Sequence, residues 1–271
     1  MPIIAGYMVP HPPIAVHEIG RGEELKIQAT LDSFREVAED IAALEPETIL
    51  VTSPHALMYR DYFHISPGTH AEGDFSRFRA GKVRFSVDYD REFADAIADA
   101  ADETGFPAGT LGERDPQLDH GTMVPLYFIN QCYREYKLVR IGLSGLPLQS
   151  HWEFGKLIRK AVDRTGRKCV FLASGDLSHC QKKDGPYGYR PEGPRYDEKI
   201  METMGKGDFR SLPLFDERLL EDSMECGHRS FTIMGGVFEG MEVESRMLSH
   251  EATFGVGYGF CIYHPLCQAA I

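Results

Sequence analysis

The chain has 271 residues, with 29 Lys and Arg against 41 Asp and Glu, a formal net charge of −12. Its 42% hydrophobic and 26% charged content is ordinary for a globular protein, and its length suffices to bury a core without disulfide or metal staples. Acidity without a Lys/Arg block excludes a generic phosphate-binding surface, no apolar run reaches the ~20 residues that span a bilayer, and MPIIAGYMVPHPP lacks the features of a secretory signal.

Residues 2–9 (PIIAGYMV) predict a buried strand running into Pro10-His11-Pro12-Pro13. Ile27, Leu31, Phe34, Ala38 and Ile41 share one helical face, which predicts a helix over 23–44 ended by Glu45-Pro46. Thr48–Thr52 is a second strand with Ser53-Pro54-His55 at its end, and strands are expected at 62–66 and 82–87 with a polar loop between them. Helices follow at 90–104 and 122–136, a strand at 138–143, a helix at 150–164, and a strand at 169–173 leading into Ser174-Gly175-Asp176-Leu177-Ser178-His179. The Gly- and Pro-rich stretch 181–195 predicts a surface loop or lid. Helices near 195–204 and 228–240 and closing strands at 242–249 and 256–263 complete the chain.

This alternation predicts an α/β fold, a central mixed or largely parallel sheet flanked by helices. With no repeat and no linker, one domain over 1–271 is expected. The cysteines (Cys132, Cys169, Cys180, Cys226, Cys261, Cys267) are scattered and form no C-x-x-C pair, which predicts reduced thiols and a cytoplasmic protein.

Ligands bind beyond the carboxyl ends of strands in open α/β sheets. Three predicted strands lead into a histidine, His11, His55 and His179, so parallel strands would bring the three together. Neutral imidazoles suit Fe, Zn or Cu. A third ligand is sought in Met224-Glu225-Cys226-Gly227-His228, at a helix start. Glu225 would complete a set of two histidines and a carboxylate suited to Fe(II) and O₂, and it would equally serve as a helix cap; Cys226 and His228 are its rivals. Asp176 and Ser178 are placed to orient His179. A Ser-His-Asp hydrolase is disfavoured because no G-x-S-x-G elbow occurs, and the remaining histidines carry no motif.

PHPP at 10–13, SPH at 53–55, DHG at 119–121, SGDLSH at 174–179 and ECGHRS at 225–230 together resemble the class III extradiol ring-cleavage dioxygenases, the superfamily of the protocatechuate 4,5-dioxygenase catalytic subunit. PHPPIAVHEIGRGEE and ECGHRS look most similar to its AmmeMemoRadiSam and Memo-like group. The resemblance implies a single α/β domain, Fe(II) held by His11, His55 and Glu225, His179 as the acid/base residue, and His120 beside the substrate or dioxygen. It implies a non-haem Fe(II) extradiol dioxygenase of aromatic catabolism, cleaving a catechol- or aminophenol-type ring with O₂. The alternative is a Memo-like metal-binding protein without ring cleavage, holding Zn or Cu, for which Cys226 is the hint; a zinc hydrolase in the same pocket is a third reading. The expected partners are a small aromatic substrate and O₂, with no nucleic acid and no membrane; relatives often associate, so a homodimer is the expected assembly.

Overall fold

Strands covered on both faces carry unbroken apolar runs, and Thr48–Ser53 and Cys169–Ser174 are accordingly buried along their whole length. The computed structural model describes residues 2–112, 114 and 117–266. In chain order the elements are β1 (Ile3–Val9), α1 (His17–Gly20), α2 (Gln28–Leu44), β2 (Thr48–Ser53), β3 (Phe63–His64), β4 (His70–Phe75), β5 (Ala80–Asp88), α3 (Arg91–Asp102), β6 (Ala108–Gly109), α4 (His120–Cys132), β7 (Lys137–Gly142), α5 (Leu148–Thr165), β8 (Cys169–Ser174), α6 (Glu192–Gly205), α7 (Glu217–Ser223), α8 (His228–Val237), β9 (Val243–Glu251) and β10 (Tyr258–Pro265), with short 3-10 turns among them.

Six strands form the central sheet in the order β7-β2-β8-β1-β10-β9. The first four are parallel, while β10 runs antiparallel to β1 and β9 antiparallel to β10. The expected α/β fold with a mixed, mostly parallel sheet is therefore the observed one. Alternate residues of β1 feed opposite layers. Ile3 and Met8 join the core under α3, α5, α6 and α8, and Ala5, Tyr7 and Val9 join the core under α2, α4 and the β4–β5 hairpin.

Register places the site. Val9 pairs with Ser174 and Thr52 with Ala173, so β1, β2 and β8 end level and deliver His11, His55 and Asp176 to one rim.

Local departures from expectation have local causes. The 23–44 helix opens as a 3-10 turn over Glu23–Ile27 because Ile27 leaves the helical region (φ −118°, ψ 52°). The 122–136 helix stops at Cys132, where Tyr133 is extended. The polar stretch before β5 contains β4, and α7 lies between the helices expected near 195–204 and 228–240. Cys132, Cys169, Cys180, Cys226 and Cys261 are free thiols; Cys267 lies outside the described residues. No helix among the described residues is long and apolar enough to cross a membrane.

Candidate metal centre

His11 follows β1 through Pro10 and is held from both ends. Its backbone N–H donates to Asp176 Oδ1 at 2.7 Å. Its Nδ1 lies 2.9 Å from Ser174 Oγ, and that hydroxyl donates to Gly121 O at 2.6 Å. Because the serine proton is committed to Gly121, Ser174 accepts from His11 Nδ1–H. His11 Nε2 is thereby left as a bare lone pair, and it faces His55 Nε2 at 3.0 Å.

His55 sits in the turn after β2, where its N–H donates to Ser53 Oγ at 3.2 Å. Ser53 Oγ donates in turn to Asp119 Oδ1 at 2.5 Å. Asp119 is the N-cap of α4, accepting from Thr122 N–H at 3.0 Å, so one carboxylate ties the β2 turn to the helix that begins with His120. The His120 ring lies 4.0 Å from that of His55 and 5.5 Å from that of His11. Phe78, from the stretch expected to be a polar loop, packs edge-on against it at 5.5 Å; nothing in the sequence marked that contact.

The third donor comes from the turn before α8. Cys226 Sγ lies 3.7 Å from His11 Nε2 and accepts from Asp176 N–H at 3.3 Å. Its backbone N–H donates to Asp176 O at 3.3 Å. Two glycines permit this: a methyl on Gly175 would sit 2.0 Å from Gly227 Cα, so the 174–176 and 226–228 backbones lie in contact. Donor atoms of His11, His55 and Cys226 all fall within 4.8 Å of one another.

Glu225, the carboxylate expected to complete the set, stands outside that cluster. Its Oε2 accepts from His228 N–H at 2.6 Å, satisfying one of the unpaired donors of the first turn of α8. The other rival, His228, is fully buried, with Nε2 donating to Leu212 O at 2.9 Å and Nδ1 facing Tyr196 Oη at 3.3 Å.

Asp176 was expected to orient His179, and its carboxylate instead receives the His11 N–H. Ser178 also serves elsewhere, receiving the Cys180 N–H at 3.1 Å. His179 Nδ1 is buried without a hydrogen-bond partner among the described residues. Its ring meets that of Tyr187, on the 181–191 loop, edge-on at 5.1 Å, and it stands near enough for its charge to act on His11, His55 and Asp176.

Burial dominates the electrostatics. It holds His11 well below the ordinary imidazole range, helped by the adjacent His55. It lowers His55 against the opposing pull of Asp119 and Asp176, and it brings His120 down to about 3, with His55 and His11 adding to the effect. The same desolvation raises Asp176, takes Glu225 up to about 7 and pushes the Cys226 thiol well above its usual value. A nest of neutral imidazoles, an unprotonated His11 Nε2 facing His55 Nε2 and a thiol beside it is a donor set that fits a d-block cation. Such a cation would draw the thiol to thiolate.

Comparison with known proteins adds the following. A family model described as the catalytic LigB subunit of aromatic ring-opening dioxygenase matches residues 5–261. Protein CA_C1420 of Clostridium acetobutylicum is 39% identical over 269 residues; the match covers 93% of this chain but 56% of that protein, so the chain spans little more than half its length. The 2-aminophenol 1,6-dioxygenase beta subunit of a Pseudomonas species is 27% identical over 287 residues, with 94% of this chain and 92% of that one covered. A Pseudomonas putida 2,3-dihydroxyphenylpropionate/2,3-dihydroxicinnamic acid 1,2-dioxygenase is 30% identical over 191 residues, covering 66% of this chain and 55% of that protein. The crystal structure of uncharacterized protein JW3007 from Escherichia coli K12 superposes with a TM-score of 0.60 at 13% identity, over 96% of this chain and 99% of that one, which shows a common fold.

Proposed function

The chain belongs to the family of the catalytic LigB subunit of aromatic ring-opening dioxygenases, and from that premise we propose that it opens a catechol- or aminophenol-type ring with O₂ at an Fe(II) centre. The observation that carries this reading is the meeting of His11 and His55, two strand-end imidazoles with their Nε2 atoms 3.0 Å apart, together with His179, whose Nδ1 has no hydrogen-bond partner among the described residues. His11 and His55 would hold the metal together with a third donor from Glu225-Cys226; Cys226 Sγ is the nearer in this geometry. When bound, the metal supplies charge stabilisation and electron transfer between ring and O₂.

The chain's own residues do the rest. His179 takes the proton of an incoming ring hydroxyl at Nδ1, since no donor among the described residues occupies that atom. His120, kept neutral by burial, lines the approach without adding positive charge. Ser174 fixes the His11 tautomer, and the ring of Tyr187 closes the His179 side. Anaerobic loading with Fe(II), followed by a panel of catechols and 2-aminophenols with O₂, should give oxygen uptake and a ring-opened chromophore. Stoichiometric iron with no oxygen consumed across the panel would sink the reading.

Cys226 in the third position favours a second reading, a metal-binding protein of Memo-like chemistry that holds Zn or Cu and cleaves no ring. Here Cys226→Ser should abolish metal binding and Glu225→Gln should spare it, read as metal stoichiometry after desalting. Loss of metal on Glu225→Gln with retention on Cys226→Ser rejects the thiol ligand and returns the carboxylate to the set.

A further inference from the structure

A cleft of about 880 Å³ lies between β5, the C-terminal half of α4 and the start of β7. None of its walls belongs to the metal centre. All seven residues from Lys82 to Asp88 line it. Side chains along a strand alternate between faces, so a cavity against one face of β5 would touch every second residue. Contact with seven in succession means that the strand turns its edge towards the cleft. That edge is open among the described residues: β5 pairs with β4 alone, and only beyond its end does Tyr89 bridge to Leu138 of β7.

Lys82, Arg84, Arg134 and Lys137 stand exposed around the cleft, and none of them forms an ion pair among the described residues. The two carboxylates there are already engaged. Asp88 Oδ1 meets His70 Nδ1 at 2.9 Å, and Glu18 Oε2 accepts from Tyr127 Oη–H at 3.0 Å. In a chain of net charge −12, four cations against the two carboxylates of Glu18 and Asp88 around one open strand edge invert the average surface. Charge on an edge repels the like-charged edge of a second copy; it attracts an edge of opposite charge.

We propose that this cleft binds an extended acidic segment of a partner protein as an added strand on β5. Backbone groups of β5 pair with its backbone, and the four cations meet its carboxylates. The rings of Tyr127 and Tyr136 form the apolar wall opposite. The inference goes beyond the ring-opening reading and does not depend on it.

The test uses the whole protein and a short fluorescein-labelled peptide of alternating Glu and Val, read by anisotropy at low ionic strength. Binding is expected, weakened about tenfold or more by the double variant Lys82→Glu/Arg84→Glu, whose circular dichroism should match the parent. N-methylating every second amide of the peptide, in its two possible phases, should abolish binding in one phase, because that phase blocks the paired edge. Five results overturn the proposal. They are no binding, binding unchanged in the double variant, equal binding of both N-methylated peptides or of a single-stranded oligonucleotide of the same charge, and a dimer in sedimentation that the double variant dissociates.

Discussion

At the scale of single residues, the centre is organised by side chains that touch no ligand position. Ser174 is the clearest: it takes the His11 Nδ1 proton and gives its own to Gly121 O, so it decides which imidazole nitrogen faces the cluster. Removing the hydroxyl leaves two buried polar groups unpaired, a cost of about 1–3 kcal/mol each when nothing replaces it. It also frees His11 to place a proton on Nε2, where a metal would have to displace it. Ser174→Ala is therefore expected to lower metal affinity by roughly 10–100-fold, beyond any loss of stability. A chelator-competition titration set beside the melting temperature of the metal-free protein separates the two effects. A lower melting point with unchanged affinity would make Ser174 a packing residue only.

At the scale of elements, what a sequence reveals depends on how local its cause is. The strand-end histidines are legible because parallel strands of known polarity must end on one rim, and Val9, Thr52 and Ser174 do end level. The choice between Glu225 and Cys226 is not legible, since the two are neighbours in one turn. Contact of Gly227 with Gly175, residues that only the fold brings together, sets which of the two side chains faces His11. β4 escaped notice because its inward positions are Ala71, Gly73 and Phe75, and a glycine in an apolar slot hides the period of two. α8 carries the Cys226 turn and is itself seated by a backbone crossing with α5. A methyl on Gly236 would lie 2.1 Å from Trp152 O, and one on Gly155 would lie 2.1 Å from Ile233 O. Carbonyl oxygens in helices cannot swing aside, so Gly236→Ala must push the helices apart. The expected cost is about 1–3 kcal/mol, or roughly 2–12 °C in melting temperature for a chain of this size. Because the shift tilts the turn holding Cys226, metal affinity should fall with it, whereas alanine at the exposed Gly166, whose added methyl would touch nothing, should leave metal affinity alone.

At the scale of the whole molecule, the histidines sort by environment. His11, His55 and His120 are kept neutral by burial, while several elsewhere are matched with carboxylates that bind distant elements together. Asp40 of α2 receives the Tyr7 hydroxyl from β1 at 2.6 Å and faces His264 Nε2 of β10 at 2.9 Å, so one carboxylate pins a helix to two sheet strands. The Asp40 hydrogen bond raises His264 above its ordinary value, with burial opposing and the charges of Asp40 and Glu244 assisting against Arg246. Burial alone would raise Asp40, and the hydrogen bonds from His264 and Tyr7 overcome it to hold the carboxyl low. The signs follow by linkage. A raised histidine contributes fully below its unfolded value of 6.5 and loses that contribution as pH climbs through the folded one. A lowered aspartate contributes above its unfolded value of 3.8 and loses that contribution as pH falls through the folded one. The pair is thus strongest between those two unfolded values. His264→Gln should melt below the parent by the widest margin at about pH 5.5, and the margin should narrow by about pH 8.5 as the parent's His264 loses its proton. Differential scanning calorimetry of both proteins at the two pH values measures the gap. An equal gap at both would mean that His264 contributes through packing and not through its charge.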